Sequence, residues 1–330
     1  MKIRVINRED VRSALPMIKA IELMRRAYAT YSKEPGGSPI RTRITVENSG
    51  TNLAIMPAYV SSLNSGLLVK VATYNHNNQN ASLPTLHAIV QVFNPTNGEP
   101  LALIEGALLT AIRTGAGSGV ASDVLARDDA CVAAIIGCGV QAGYQLEAIC
   151  TVRDIQKVYV YSQTKQKAED FASIMAGHGP IPSSIFVADD PDQAIREADI
   201  ICTATTSAIP VFDGRFIKTG SHINSIGSFQ KSMRELDTET ILKSRLVVDS
   251  KISALEEAGE ITIPIAQGLI NQDWIYAEIG EIINGVKQGR ENRNQITIFK
   301  SVGLAMQDVF AASSILAEAE KLGIGTIIEL

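Results

Sequence analysis

The sequence predicts an α/β chain of two domains, one an open, doubly wound parallel sheet and the other of α+β type. Three observations carry this expectation. With 330 residues, the chain is longer than one ordinary compact domain. Its middle alternates short apolar strands with helical segments, the rhythm of parallel strand pairing. Its first third instead follows one helical segment with a string of extended ones, as in a mostly antiparallel sheet.

Taken in order, residues 10–32 place Leu15, Ile18, Ile21, Met24, Ala27, Tyr28 and Tyr31 on one face of an amphipathic helix. Glu34-Pro-Gly-Gly-Ser-Pro39 stops it. Extended patterns follow at 41–46, 52–56, 67–72, 87–93 and 101–105, the last two joined by the turn sequence Asn94-Pro-Thr-Asn-Gly98. Small residues dominate a helical stretch at 108–125. Strands are expected at 131–136, 157–161, 184–187 and 200–203, separated by helices at 141–151, 165–176 and 192–198. Later strands fall at 222–226 and 246–248, and a last long helix runs from Ile298 to about Lys321. That helix is expected to return to the first domain. The division is therefore residues 1–117 with 296–330, against 118–295.

Bulk properties narrow the function. The formal charge of −5 argues against a nucleic-acid surface, which needs clustered Lys and Arg. No apolar run is long enough for a membrane span, and charges near the N-terminus stand where a signal peptide needs an apolar core. Cytoplasm is the expected compartment. Cys131, Cys138, Cys150 and Cys202 form no CxxC pair and read as buried thiols. His76, His87, His178 and His222 are scattered, so no metal is expected.

Ala133-Ala-Ile-Ile-Gly137-Cys-Gly139-Val-Gln-Ala142 reads as strand, glycine turn and helix start, matching G-x-G-x-x-A. Gly137 permits the turn, Gly139 lets backbone approach a pyrophosphate, and Ala142 lets helix and strand pack closely. This predicts a Rossmann-type dinucleotide site involving Gly137, Gly139, Val140 and Gln141. An acid at the tip of the second strand would bind the ribose of NAD. Here the tip reads Val158-Tyr-Val-Tyr-Ser162-Gln-Thr-Lys165. Ser162, Gln163, Thr164 and Lys167 suit a 2′-phosphate, so NADP(H) is favoured over NAD(H); a solvated lysine cluster is the plainer reading. Thr203 and Thr205, at the end of a later strand, either line the cofactor or cap turns.

The first domain carries cations among apolar neighbours: Arg41 and Arg43, Lys70 within Gly66-Leu-Leu-Val-Lys-Val-Ala72, and Arg113 within Leu109-Thr-Ala-Ile-Arg-Thr114. A lysine inside an apolar strand is costly unless paired or functional. If Arg41, Lys70 and Arg113 converge, they suit a carboxylate; otherwise they form separate ion pairs.

The phrases Met56-Pro-Ala-Tyr59, Lys70 with Tyr74, Phe93-Asn-Pro-Thr-Asn-Gly98, Leu109-Thr-Ala-Ile-Arg-Thr114, Gly137-Cys-Gly-Val-Gln-Ala142, Ile226-Gly-Ser-Phe, Met233-Arg-Glu-Leu-Asp237 and Ile298-Phe-Lys-Ser-Val-Gly303 occur in order. Together they resemble the ornithine cyclodeaminase/mu-crystallin family across nearly the whole chain. The resemblance implies a homodimer whose first domain forms the interface and the substrate pocket. It implies carboxylate recognition by Arg41, Lys70 and Arg113, with Ser228 near substrate or nicotinamide and Ile226 and Ser301 on the cofactor side. Ornithine-cyclising members carry an aspartate where this chain has Phe229, and a phenyl ring cannot pair with an ammonium. The combination of Gly227-Ser-Phe229 and Met233-Arg-Glu-Leu-Asp237 looks more like the ketimine reductase and Δ1-pyrroline-2-carboxylate reductase members.

The expected reaction is NAD(P)H-dependent reduction of a cyclic imino acid, Δ1-pyrroline-2-carboxylate to L-proline or its six-membered homologue to L-pipecolate. Lys70 is the candidate proton donor and Glu257 a supporting carboxylate; a solvated helix glutamate is the alternative for the latter. Competing readings are an alanine dehydrogenase, an ornithine cyclodeaminase, and a non-catalytic NADPH-binding protein.

Overall fold

A computed structural model describes residues 1–81 and 83–330. The chain divides into Met1–Arg113 with Leu304–Leu330, and Thr114–Gly303. The first unit runs β1 (Lys2–Ile6), α1 (Arg8–Ala14), α2 (Met17–Tyr31), β2 (Thr42–Val46), β3 (Thr51–Tyr59), β4 (Leu67–Tyr74), β5 (Leu86–Phe93) and β6 (Pro100–Glu105). It ends within α3 (Gly106–Leu125).

The single helix expected at 10–32 is two helices. Pro16 breaks it, since proline lacks a donor and disfavours helix in the residue before it; Leu15 accordingly leaves the helical region and Pro16 caps α2 at ψ 153°. Within α2 the buried residues are Met17, Ala20, Ile21, Leu23, Met24, Ala27, Tyr28 and Tyr31, whereas Ile18 faces solvent.

The second unit continues with β7 (Val132–Ile136), α4 (Val140–Val152), β8 (Lys157–Tyr161), α5 (Lys165–Met175), β9 (Ile185–Val187), α6 (Pro191–Ile195), β10 (Ile200–Thr203) and β11 (His222–Ser225). Then come α7 (Thr238–Leu242), β12 (Ser244–Val248), α8 (Lys251–Glu257), α9 (Gly259–Ala266), β13 (Ile275–Glu278), α10 (Ile279–Ile283) and β14 (Ile296–Lys300). The chain closes in the first unit with α11 (Ala305–Leu322) and β15 (Thr326–Glu329).

The first sheet has the order β15-β1-β6-β5-β4-β3-β2. β1 runs parallel to β6 and antiparallel to β15, and β2 to β6 form an antiparallel meander. Helix α11 packs against α2 and across β3, β4 and β5. Its fully buried side chains include Asp308, Val309, Ala311 and Ala312.

The second sheet is parallel throughout, ordered β13-β12-β14-β11-β10-β7-β8-β9. Both of its faces are covered, which is why β7 reads as the continuous apolar run Val-Ala-Ala-Ile-Ile. Ala133 and Ile135 join one core with Leu146 and Ile149 of α4; Ala134 and Ile136 join the other with Ile195, Ile223 and Ile298. Strand order reverses at β7, which lies between β8 and β10. In such sheets ligands bind at that switch point, beyond the carboxyl ends of the strands.

The expected boundary at 295/296 does not hold. Residues 296–300 form β14 between β11 and β12 and not the start of a helix. The run Ile-Thr-Ile-Phe-Lys is fully buried on both sides, and a short apolar run gives no periodicity to separate strand from helix. The helix begins at Ala305, after Gly303 turns the chain at φ +83°. Among the described residues no helix is long and apolar enough to cross a membrane, and no group of His, Cys, Asp or Glu is arranged to hold a metal.

Candidate active-site residues

Lys70 occupies the middle of β4, in register with Met56 of β3 and Val90 of β5. Its face of the sheet is the one that α11 covers, so Lys70 is only 2% exposed. Asp308 of α11 meets it: Lys70 Nζ lies 2.6 Å from Asp308 Oδ2. The other oxygen, Oδ1, accepts from Arg113 Nε at 3.1 Å. Arg113 Nη1 also donates to Gln307 Oε1 at 3.2 Å, and Gln307 Nε2 donates to the Tyr28 hydroxyl at 2.9 Å. Gln307 Oε1 accepts as well from the backbone N–H of Leu304, closing the first turn of α11.

Lys70 and Arg113 therefore converge on one buried carboxylate. Burial pulls the Lys70 ammonium down to about 7; Asp308 opposes this, while Arg113 and Arg41 add to it. Arg41, just ahead of β2, is thus within electrostatic reach of Lys70. Lys70 and Arg113 gathered on Asp308, with Arg41 within reach, suit an anionic ligand and a carboxylate in particular.

In the second unit the glycine turn joins β7 to α4. Gly137 has φ +99°, a left-handed conformation that favours glycine, and a Cβ there would meet the Ala204 carbonyl oxygen at 2.7 Å. A Cβ on Gly139 would meet nothing within 4 Å, so this glycine is not required by packing. Gly139 caps α4 without any side-chain hydrogen bond, leaving the helix N-terminus to an anion. Val140 is exposed, and Gln141 Oε1 is buried without a hydrogen-bond partner. Ala142 is fully buried against the sheet. These residues fit a dinucleotide pyrophosphate. Beyond β8, Ser162 is half-buried and Gln163, Thr164 and Lys167 are exposed, with no acid at the strand tip. Lys165 stands 3.7 Å from Asp189.

Several expected contact residues have other engagements. Ser228 is fully buried; its hydroxyl donates to Glu260 and accepts from Lys300 Nζ at 2.7 Å. Thr203 Oγ1 donates to Glu235 at 2.8 Å, and Ser301 Oγ to Asp249 at 2.7 Å. Ile226 packs in the core under α4. Thr205 Oγ1 accepts from the Ser207 N–H, and the Thr205 N–H donates to Glu235. Thr205 Oγ1 thus caps a turn, whereas the hydroxyls of Thr203, Ser228 and Ser301 bond buried carboxylates. Glu257 ends α8 and is buried.

Behind them lies a carboxylate–lysine network. Glu235 accepts from Thr203, Thr205 and Gly227, fastening the segments that follow β10 and β11. Glu260 accepts from the Glu235 N–H at 2.8 Å and lies 3.4 Å from Lys300. Burial pushes the Glu235 carboxyl up; Lys300 pulls it down and Glu260 raises it further. Asp249 binds the N–H groups of Val302 and Gly303 and shapes the segment after β14.

Asp308, Gln307, Glu260 and Asp249 went unread in the sequence. For Asp308 a signal existed: two buried cations require an acid, and Leu304-Ala-Met-Gln-Asp308-Val-Phe sets one in an otherwise apolar helix.

A parallel doubly wound unit with an open glycine turn, joined in one chain to a unit with a buried cation cluster, defines a protein of the dinucleotide-dependent dehydrogenase class. The chain belongs to the ornithine cyclodeaminase/mu-crystallin family, whose model matches residues 1–322. It is 42% identical to the Δ1-pyrroline-2-carboxylate reductase of Bacillus cereus over 326 residues, 98% of this chain and 99% of that one. Among solved structures it resembles Thermococcus litoralis Δ1-pyrroline-2-carboxylate reductase in complex with NADH and L-proline. There the TM-score is 0.94 at 42% identity, covering 98% of this chain and 99% of the other. An archaeal alanine dehydrogenase, a dimer with bound NAD, matches with a TM-score of 0.93 at 33% identity over 100% of both chains.

Proposed function

We propose that this protein reduces Δ1-pyrroline-2-carboxylate to L-proline, and its six-membered homologue to L-pipecolate, with a reduced nicotinamide dinucleotide. The observation that carries the reading is the buried group of Lys70, Arg113 and Asp308 with Arg41 close by. It offers cations for a carboxylate and one ammonium with a proton to give. Full-length similarity to a reductase of this substrate supports it.

When bound, the reduced nicotinamide supplies the hydride that adds to C2 of the imine. Arg41 and Arg113 hold the substrate carboxylate, a contact that fixes orientation at the reacting carbon. Lys70 donates a proton to the imine nitrogen, directly or through a water, and is then reprotonated from solvent. Glu257 is proposed to support the protonated nitrogen. Ser228 acts through the loop it anchors, since its hydroxyl is already engaged by Glu260 and Lys300.

We infer a preference for NADPH over NADH from the tip of β8. Ser162, Gln163, Thr164 and Lys167 surround the position where an acid would select the ribose of NAD. We infer also a homodimer. The outward row Ile55–Val71–Ile89 crosses β3, β4 and β5 in register, and Ile89 of β5 and Ile44 of β2 are 50% and 53% exposed. Four free cysteines agree with the reducing cytoplasm.

The deciding experiment follows NADPH and NADH oxidation with Δ1-pyrroline-2-carboxylate, with pyruvate plus ammonia, and without substrate, beside ornithine-dependent ammonia release. The proposal predicts imine-dependent oxidation, faster with NADPH, and no ammonia from ornithine. Faster turnover of pyruvate with ammonia would make it an alanine dehydrogenase. Tight NADPH binding with no turnover would make it a binding protein.

A further inference from the structure

We propose that Asp308 is a positioning residue for imine reduction: it clamps Lys70 and Arg113 to one carboxylate and keeps the Lys70 ammonium charged until the substrate takes its proton. This rests on the imine-reductase reading above. The geometry gives each cation its own oxygen, Oδ2 for Lys70 at 2.6 Å and Oδ1 for Arg113 at 3.1 Å. Asp308 is fully buried, so its charge meets these partners and not solvent.

The surroundings of Lys70 make the need plain. Its strand neighbours, Met56 of β3 and Val90 of β5, are apolar and buried. From α3 comes Arg113 and from the segment before β2 comes Arg41, both like charges that disfavour the ammonium. From α11 come Asp308 and Gln307, and the Tyr28 hydroxyl of α2 is held by Gln307. Asp308 is the group among these that raises Lys70 toward the charged form, against burial and both arginines. Without it, the lysine would be neutral in the neutral pH range and unable to act as an acid.

In the step itself, an N–H bond of Lys70 breaks and leaves its electron pair on Nζ. The proton bonds to the imine nitrogen as the reduced nicotinamide gives a hydride to C2. The nicotinamide is oxidised, the C=N bond is reduced, and Asp308 remains a carboxylate throughout.

The test compares kcat/KM against pH for wild type, Asp308→Asn and Asp308→Glu with saturating NADPH and Δ1-pyrroline-2-carboxylate. NADPH affinity, read by fluorescence, serves as a check on folding. The substrate's own ionisation is common to all three, so the displacement between curves is what counts. Asp308→Asn is expected to move the alkaline limb to lower pH by at least about one unit, which is a loss of roughly tenfold above the limb. The acid plateau falls much less, and Asp308→Glu returns the limb toward its wild-type position. A uniform loss at every pH, or an unmoved limb, overturns the proposal. Asp308→Ser, also neutral, replaces asparagine if that variant does not fold; if neither neutral variant folds while Asp308→Glu does, the acid serves folding and the proposal falls. A wild type that turns over no imine refutes the reductase reading itself, whereas wild-type turnover with an unmoved limb refutes only the role of Asp308.

Discussion

Lys70 is an expensive residue, and the expense has measurable signs. In the proposed reaction its protonated form is the proton donor, and burial holds the free-enzyme value at about 7. kcat/KM for the imine therefore declines as pH rises through that value, because kcat/KM reports the free enzyme. A bound carboxylate favours the ammonium, so the corresponding limb of kcat lies at higher pH. Lys70→Ala is expected to lower kcat by about 10²–10⁴-fold, the usual contribution of a general acid, while NADPH binds as in wild type. Loss of NADPH affinity instead would remove Lys70 from the substrate site.

The same shift has a consequence for stability. The folded-state value lies below the ordinary lysine value of 10.5. At pH below about 7 both folded and unfolded chains hold the proton, and the burial penalty is fully present. As pH rises toward 10.5, the folded chain has released the proton while the unfolded chain keeps it, so the penalty fades. The stability of wild type relative to Lys70→Met should increase with pH across that window, at up to about 1.4 kcal/mol per pH unit. Urea denaturation of both proteins across the window checks this, and a flat difference would show that Lys70 is not the titrating group. Lys70 and Arg113 were legible as misplaced cations in apolar strings. Asp308 went unread: the two cations called for an acid, but which acid of the chain meets them is decided by long-range packing.

The glycine turn is the element where sequence and chemistry coincide most closely, and its two glycines have separable roles. Gly137→Ala places a side chain at φ +99° against the Ala204 carbonyl and should cost about 1–3 kcal/mol of stability. Gly139→Ala meets no atom of the chain and should leave stability within about 0.5 kcal/mol. It sets a methyl where the pyrophosphate approaches, so NADPH affinity should fall at least about tenfold, or 1.4 kcal/mol. Thermal melts and fluorescence titration separate these outcomes; unchanged affinity in Gly139→Ala would move the dinucleotide off this turn.

Elements defined by local pattern were readable with their limits. β8 and β10 fall at Lys157–Tyr161 and Ile200–Thr203, as the sequence implied. Three of the elements missed are ones that distant partners decide. β1 and β15 are short and pair across the two ends of the chain, and β14 reads as well for a helix until β11 and β12 flank it. Pro16, which splits α1 from α2, was legible and was overridden by a periodicity that runs past it.

At the scale of the whole molecule, the chain combines a dinucleotide-type unit with a unit whose buried cations are proposed to select the substrate. The outward apolar row of the first sheet belongs to this scale too. Ile89→Lys on that row is expected to convert a dimer into monomer with the Lys70 cluster intact, as light scattering would show. A monomeric wild type would contradict the homodimer. The most direct measurement of the central claim traces the hydride. Reaction of Δ1-pyrroline-2-carboxylate with the reduced nicotinamide dinucleotide carrying deuterium at both C4 positions, followed by mass spectrometry and NMR of the product, should give L-proline carrying deuterium at C2. Proline without the label at C2, or no proline at all, would contradict the account.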